Sequence, residues 1–210
     1  MPTLLLIHGG LWEDMDADRF WRRPGVVAGL EGRGCTVLAP DRLRRPSSWE
    51  DDAAHVAPAL SDAAAVAGPV TVVAGSFGCA VAVRLALSHP DLVRRVVLAW
   101  PASVSDQFVA IRVRAELARL GARPRVLDAL LGSGGVVPGA CDSEVRGLSV
   151  PVGVVPAVPS NPVHPRSAVD ALARLLPSVV ELPGCPEAPR PEFASYLESF
   201  LGAVVAFAEL

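Results

Sequence analysis

Short apolar runs bounded by turn residues alternate along the chain with longer segments of helical period, and that alternation constrains the fold more than any other feature. The runs lie at 3–7, 35–39, 70–74, 94–99, 150–155 and 178–182. They are apolar throughout and not alternating, the pattern of strands buried on both faces. Between them, 17–31, 50–67, 77–88, 165–176 and 190–208 carry helical spacing; in the last, Phe193, Leu197, Phe200, Leu201, Val204 and Val205 mark one face. Strand–helix–strand order with crossovers of this length requires parallel strands and right-handed connections. The chain is therefore expected to form an α/β fold, an open doubly wound, mainly parallel sheet of about six strands.

One interval breaks the rhythm. About 50 residues separate the strand ending near Trp100 from the one starting near Val150, where connections of about 2–6 residues are usual. Phe108, Ile111, Leu117 and Leu120 fall on one side of a helix expected near 105–120, and Val126, Leu127, Leu130 and Leu131 indicate a second, followed by a Gly-rich stretch at 132–139. Residues 103–148 are expected to form a small helical lid over the strand C-termini, within a single domain spanning 1–210. The competing reading is a crossover helix with a long loop.

Composition excludes several classes. Pro and Gly together make about 18% of the chain, below the roughly 25–30% of low-complexity segments. Nineteen basic against 22 acidic residues leave a net charge of −3, without the basic block of a nucleic-acid footprint, so no nucleic-acid partner is expected. All basic residues are Arg, and Asn161 and Gln107 are the only side-chain amides. No charge-free apolar run reaches membrane-spanning length, and residues 1–10 lack the charged start and cleavage site of a leader peptide. A cytoplasmic protein without a membrane partner is expected. Cys35, Cys79, Cys141 and Cys185 show no CxxC pairing, which fits free thiols and not a zinc or disulfide framework. Asp14, Asp16 and Asp18 alternate as calcium ligands do, but the Gly and distal Glu of an EF-hand loop are absent, so no metal is expected. No cofactor is expected either.

The chemistry concentrates after the third apolar run. Ala74-Gly75-Ser76-Phe77-Gly78 leads into a helix beginning at Cys79. A strand-to-helix turn tight enough to expose a serine hydroxyl needs small residues two before and two after it, and Ala74 and Gly78 supply them. The Phe77 amide at the helix N-terminus is then placed to hold an oxyanion. The competing reading is a serine N-cap.

Here the chain resembles the α/β-hydrolase family over nearly its whole length. Leu4-Leu5-Leu6-Ile7-His8-Gly9-Gly10 resembles the strand and His-Gly turn that supply the family's second oxyanion donor, which implies the Gly10 amide in that role. Leu38-Ala39-Pro40-Asp41-Arg42 and Leu87-Ser88-His89-Pro90-Asp91-Leu92-Val93 resemble two further family passages in the right order. The chain opens directly on the His-Gly strand, which implies a compact member without the family's first two strands. The resemblance also implies an acid after the strand at 151–155, in a segment that reads D-x-x-H-P in relatives. Here it is Asn161-Pro162-Val163-His164-Pro165. Asn161 reads either as an amide that orients an imidazole without a carboxylate's charge, or as a turn residue before proline. Relatives place the catalytic histidine after the final strand, where this chain has Glu187. The triad implied by resemblance is thus degenerate.

Four histidines remain to be weighed. His8 is expected to bond loop backbone, His55 lies in an Asp-rich helix start, and His89 sits at a helix end away from the site. His164 is the only candidate replacement base, against a role in building the turn. Glu187 is expected either to lie buried under the lid, pointing at Ser76 with its pKa raised by desolvation, or to be a surface residue on a Pro-rich loop. Arg42, Arg44, Arg45, Arg112, Arg114 and Arg119 read mostly as solvated, with one of them available to an anionic substrate.

Three functions compete. The first is an enzyme acting on a small carbonyl, ester or thioester substrate, anionic in one variant, by elimination, isomerisation or cyclisation, with Ser76, Asn161 and Glu187 catalytic and the Gly10 and Phe77 amides as oxyanion hole. The second is a non-catalytic binding or accessory protein that keeps the pocket. The third is a weak serine esterase or thioesterase with His164 as base.

Overall fold

The computed structural model of the chain describes residues 1–132 and 134–210. Six strands form one all-parallel sheet: β1 (Thr3–Ile7), β2 (Thr36–Leu38), β3 (Val70–Gly75), β4 (Val93–Ala99), β5 (Val152–Val155) and β6 (Val179–Glu181), in the order β2-β1-β3-β4-β5-β6. The expected class and strand number both hold. β2, β5 and β6 are each two residues shorter than their apolar runs.

Successive side chains along a strand face opposite sides, so each strand feeds two cores. Leu5, Ile7, Val72, Ala74, Val96, Leu98 and Val152 face one layer, packed against α2 (Trp49–Ala67), α3 (Gly78–Ser88) and α7 (Arg166–Leu175). Leu4, Leu6, Val73, Val97, Ala99 and Val155 face the other, which holds α1 (Val26–Glu31) and α8 (Leu197–Glu209). That second layer contains an aromatic cluster of Phe20, Trp21, Trp100, Phe193 and Phe200, with Trp100 and Phe200 stacked at 5.4 Å between centroids. The segment expected as one helix at 17–31 is a π turn (Asp18–Arg22) followed by α1, divided at Pro24-Gly25, where Gly25 takes φ +87°. The last helical segment likewise starts as a 3-10 turn (Pro191–Tyr196) before α8.

The long β4–β5 connection carries α4 (Gln107–Arg119), α5 (Pro124–Leu131) and the short α6 (Asp142–Arg146). The Gly-rich stretch at 132–139 falls within it, apart from Ser133, which lies outside the described residues. α6 was not expected; Glu144 caps the Cys141 amide at 2.8 Å, a capping signal that the run Cys141-Asp142-Ser143-Glu144 does carry. The expected inner face of α4 is corrected. Asp106 caps the Phe108 and Val109 amides at the helix start, and Val109, Val113 and Leu117 turn inward, leaving Phe108 81% and Ile111 57% exposed. Trp49 Nε1 donates to Leu130 O at 2.9 Å and Arg84 pairs with Glu144 at 2.7 Å, tying this insertion onto α2 and α3. Among the described residues no helix is long and apolar enough to cross a membrane.

Candidate active site

β3 enters the site through Gly75, and Ser76 follows at φ +53°, a left-handed conformation that a non-glycine residue adopts at a cost of about 1–3 kcal/mol. The turn is closed by packing. A Cβ at Gly78 would lie 2.5 Å from His8 O and 2.8 Å from Ile7 O, and one at Gly75 would lie 2.5 Å from the Phe20 ring. The Ser76 amide is bonded to Ala99 O at 2.9 Å, which leaves the side chain as the group presented at the strand ends. α3 starts at Gly78, so its N-terminal dipole lies beneath the serine.

The β1 exit loop packs directly on this elbow. A Cβ at Gly9 would meet Ser76 Cβ at 2.9 Å, and Gly10 takes φ +86°. His8 Nδ1 donates to Gly9 O at 2.7 Å and His8 Nε2 accepts from the Arg42 amide at 2.9 Å, so the ring is neutral with its proton on Nδ1. Burial foremost, and Arg42 second, hold its pKa below the ordinary value. Because Gly9 O is turned to the His8 ring, the Gly10 N–H of the same trans peptide points the other way. Neither the Gly10 nor the Phe77 amide donates to an acceptor among the described residues. The Arg42 guanidinium donates to His8 O and Gly10 O, both at 2.9 Å, and pairs with Asp52 at 2.6 Å. Arg42 was expected in solvent near the opening; the correction is that Arg42 and Asp52 are buried, a paired charge locking the turn.

Two loops on the far side of Ser76 complete the cluster. Ser76 Oγ lies 2.8 Å from His164 Nε2, and His164 Nδ1 lies 2.7 Å from Glu187 Oε1. A carboxylate oxygen only accepts, so Nδ1 carries the proton and Nε2 is left as the acceptor for the serine hydroxyl. Asn161 Oδ1 accepts the Val163 and His164 amides at 3.0 Å, and its Nδ2 donates to Glu187 Oε1 at 2.7 Å. Arg190 Nη1 reaches Glu187 Oε2 at 3.2 Å. Both loops are fixed by continuing the β5–β6 pairing past the strands: Cys185 N bonds Pro156 O and Val158 N bonds Cys185 O, each at 3.1 Å, while Trp100 Nε1 holds Cys185 O at 2.9 Å. The His164 loop is also tied to the start of the helical insertion, through Ser103 N to Val163 O at 2.9 Å.

The profile of the alpha/beta hydrolase family matches residues 4–208. The chain belongs to the alpha/beta hydrolase family. Solved structures with the same fold include NosK from Streptomyces actuosus, 21% identical, TM-score 0.67, covering 99% of this chain and 97% of that one. The meta-cleavage product hydrolase CumD from Pseudomonas fluorescens IP01 is 18% identical with a TM-score of 0.68, covering 100% of this chain and 91% of its own. The esterase RhEst1 from Rhodococcus sp. ECU1013 is 19% identical with a TM-score of 0.64, covering 99% and 90%. At these identities the likeness shows the fold alone. No curated protein matches the chain.

Within this fold, Ser76, Asn161, His164 and Glu187 are brought together, with Gly10 beside the serine in the β1 exit loop and Phe77 next to it in the elbow. The expectation for Glu187 is corrected in two respects. It is buried, at 8% exposure, but it faces His164, with the imidazole between it and Ser76. Its pKa is not raised. Burial pushes it upward, but hydrogen bonds from His164, from its own backbone and from Asn161, with the attraction of His164, bring it down to about 2. Asp41 stands apart, its Oδ1 taking the Ala17 amide at 2.8 Å. The contact that sequence reasoning missed is the pairing of His164 with Glu187. Each residue was a candidate singly, but nothing local links positions in separate loops.

Proposed function

We propose that the protein is a serine-dependent acyl-transfer hydrolase of esters or thioesters, with Ser76 as nucleophile, His164 as general base and Glu187 as the acid behind it. The single observation that carries this reading is the continuous hydrogen-bond line from Ser76 Oγ through the His164 ring to Glu187 Oε1, at 2.8 and 2.7 Å. Relative to the order implied by the family resemblance, base and acid have exchanged loops. The loop after β5 supplies the histidine and the loop after β6 the carboxylate. Triads are recognised by geometry and role, not by position in the chain, so the exchange costs nothing in principle.

Each step follows from the tautomer. His164 Nε2 takes the Ser76 hydroxyl proton as Oγ attacks the acyl carbon, and the carbonyl oxygen becomes an oxyanion held by the Gly10 and Phe77 amides. The imidazolium is stabilised by ionised Glu187 and then gives its Nε2 proton to the leaving alkoxide or thiolate, which departs as alcohol or thiol. Water, deprotonated by His164, attacks the acyl-serine; collapse releases the carboxylic acid and returns the proton to Ser76.

A low Glu187 pKa argues against a second reading in which this residue itself moves a proton to or from substrate, since a group that titrates near 2 is a poor proton-transfer partner near neutrality. The test is hydrolysis of p-nitrophenyl acetate and of a short acyl thioester by the protein and by Ser76→Ala. The expected result is a burst of product from acyl-enzyme formation in the wild type and its loss in the variant. Equal turnover by Ser76→Ala would overturn the proposal.

A further inference from the structure

We infer that Asn161 and Glu187 form one acid–amide couple around His164, in which the charge can be exchanged between the two positions, with Asn161 as the positioning residue for both partners. This inference rests on the Ser76–His164–Glu187 reading of the site.

Donors and acceptors around Glu187 are matched. Glu187 Oε1 receives two N–H groups, Asn161 Nδ2 and His164 Nδ1, each at 2.7 Å. The two nitrogens lie 3.2 Å apart, two donors side by side on one oxygen. Asn161 Oδ1 is fully used by the Val163 and His164 amides, which fixes the orientation of the amide and leaves only the NH₂ to face the carboxylate. One side chain therefore holds the base by its backbone and the acid by its carboxyl oxygen. An aspartate at 161 would set two carboxylate oxygens against each other at this distance, and one of them would have to take a proton. With the acid at 187, the residue at 161 has to be the amide.

The same inventory closes when the two functional groups are exchanged. An aspartate at 161 keeps Oδ1 on the Val163 and His164 amides, and its second oxygen occupies the place of Nδ2, 3.2 Å from His164 Nδ1. A glutamine at 187 turns its NH₂ to that oxygen, and its own oxygen accepts from Arg190, which now reaches Oε2 at 3.2 Å. The bond between 161 and 187 survives with its direction reversed, and the His164 Nδ1–H changes acceptor from position 187 to the second oxygen at 161. The charge sits one side chain away and still meets the Nδ1 proton.

The experiment compares Asn161→Asp, Glu187→Gln and the double variant Asn161→Asp/Glu187→Gln. The first readout is the rate at which a fluorophosphonate labels Ser76 across pH. Glu187→Gln is expected to fall by up to about 10⁴-fold, the size seen when a triad carboxylate becomes an amide. Asn161→Asp is expected to lose at least about tenfold and to gain a titration in its pH profile that the wild type lacks, from the proton shared by two carboxylates. The double variant is expected to recover at least about tenfold over Glu187→Gln, a coupling that independent sites do not show. The second readout does not need activity: the downfield proton resonance of His164 Nδ1–H on its carboxylate should be present in the wild type, absent in Glu187→Gln and present again in the double variant. A labelled wild type with a double variant no faster than Glu187→Gln would overturn the inference and leave the triad standing. An unlabelled wild type would sink the triad, and the resonance alone would then decide the couple, its failure to return in the double variant refuting it. Thermal unfolding of each variant separates loss of the couple from loss of fold.

Discussion

From Gly9 to Gly78 the Ser76 half of the site is held by backbone in van der Waals contact, while from Asn161 to Glu187 the half that carries His164 and Glu187 is held by side-chain hydrogen bonds. In the first half, positions 75 and 78 have no room for a Cβ, and Ser76 is forced to positive φ by the turn they define. In the second, what fixes Asn161, His164 and Glu187 is the count of donors and acceptors and the register of two loops joined at Ala157 and Cys185. Steric constraints specify residue size at a position. Hydrogen-bond constraints specify chemistry across a set of positions, and the set can be permuted. The Ser76 elbow keeps the small residues that the family resemblance implies, while in the proposed triad the acid and base have traded loops.

The largest effect that sharpens this contrast is expected at Gly78. The nearest atoms to an added methyl are backbone carbonyls of β1 and its exit, which cannot swing aside, so Gly78→Ala should cost about 3 kcal/mol or more in urea unfolding, at or above the upper end for overpacking. A cost under about 1 kcal/mol would break the steric account of this half. Next is Gly10→Ala, where both φ +86° and Met15 Cβ at 2.7 Å oppose the substitution. Displacing the amide is expected to slow acylation of Ser76 by about 10²–10³, the size of a lost oxyanion donor, and an unchanged rate would show that this amide does not hold the oxyanion.

The smallest expected effect belongs to the polar half and is read in pH. The folded pKa of Glu187, about 2, lies below its ordinary 4.5, so the stability it contributes is fully present above about pH 4.5 and is lost as pH falls toward 2. Unfolding measured through that window should weaken more steeply in the wild type than in Glu187→Gln. Glu144, also held near 2 by Arg84 first and by Cys141, titrates in both proteins and cancels in the comparison. Parallel curves would mean that the carboxylate gains nothing from its partners.

The same division explains how much of the molecule was legible in its sequence. The sheet could be read because strands buried on both faces leave continuous apolar runs, and the elbow because the small residues that its tight turn demands all fall within five positions, although the groups that crowd them come from β1, its exit loop and Phe20. The insertion was legible as two helices, but the face of α4 was misread: Phe108 and Ile111 share helical spacing, and so do Val109, Val113 and Leu117, so local periodicity offers two faces and only the packing of the insertion selects the second. Arg42 looked solvated because its partner Asp52 is the last of three acids in the first turn of α2, and only that one sits on the inner face with Trp49 and Ala53. Glu187 was recognised as buried chemistry but aimed at the wrong neighbour, because a carboxylate in the histidine's place invites the assumption that it does the histidine's work. The imidazole that stands between it and Ser76 comes from another loop, 23 positions earlier in the chain.

The central claim is that His164 activates Ser76, and the most direct measurement is the second-order rate of fluorophosphonate labelling at neutral pH for the wild type and His164→Ala, with the modified residue located by peptide mass spectrometry. Labelling confined to Ser76 in the wild type, and slowed by at least about 10³-fold in a folded His164→Ala protein, is the predicted result. Labelling at an undiminished rate in His164→Ala would contradict it, because the serine would then owe its reactivity to the elbow alone and the line from Ser76 to Glu187 would carry no chemistry.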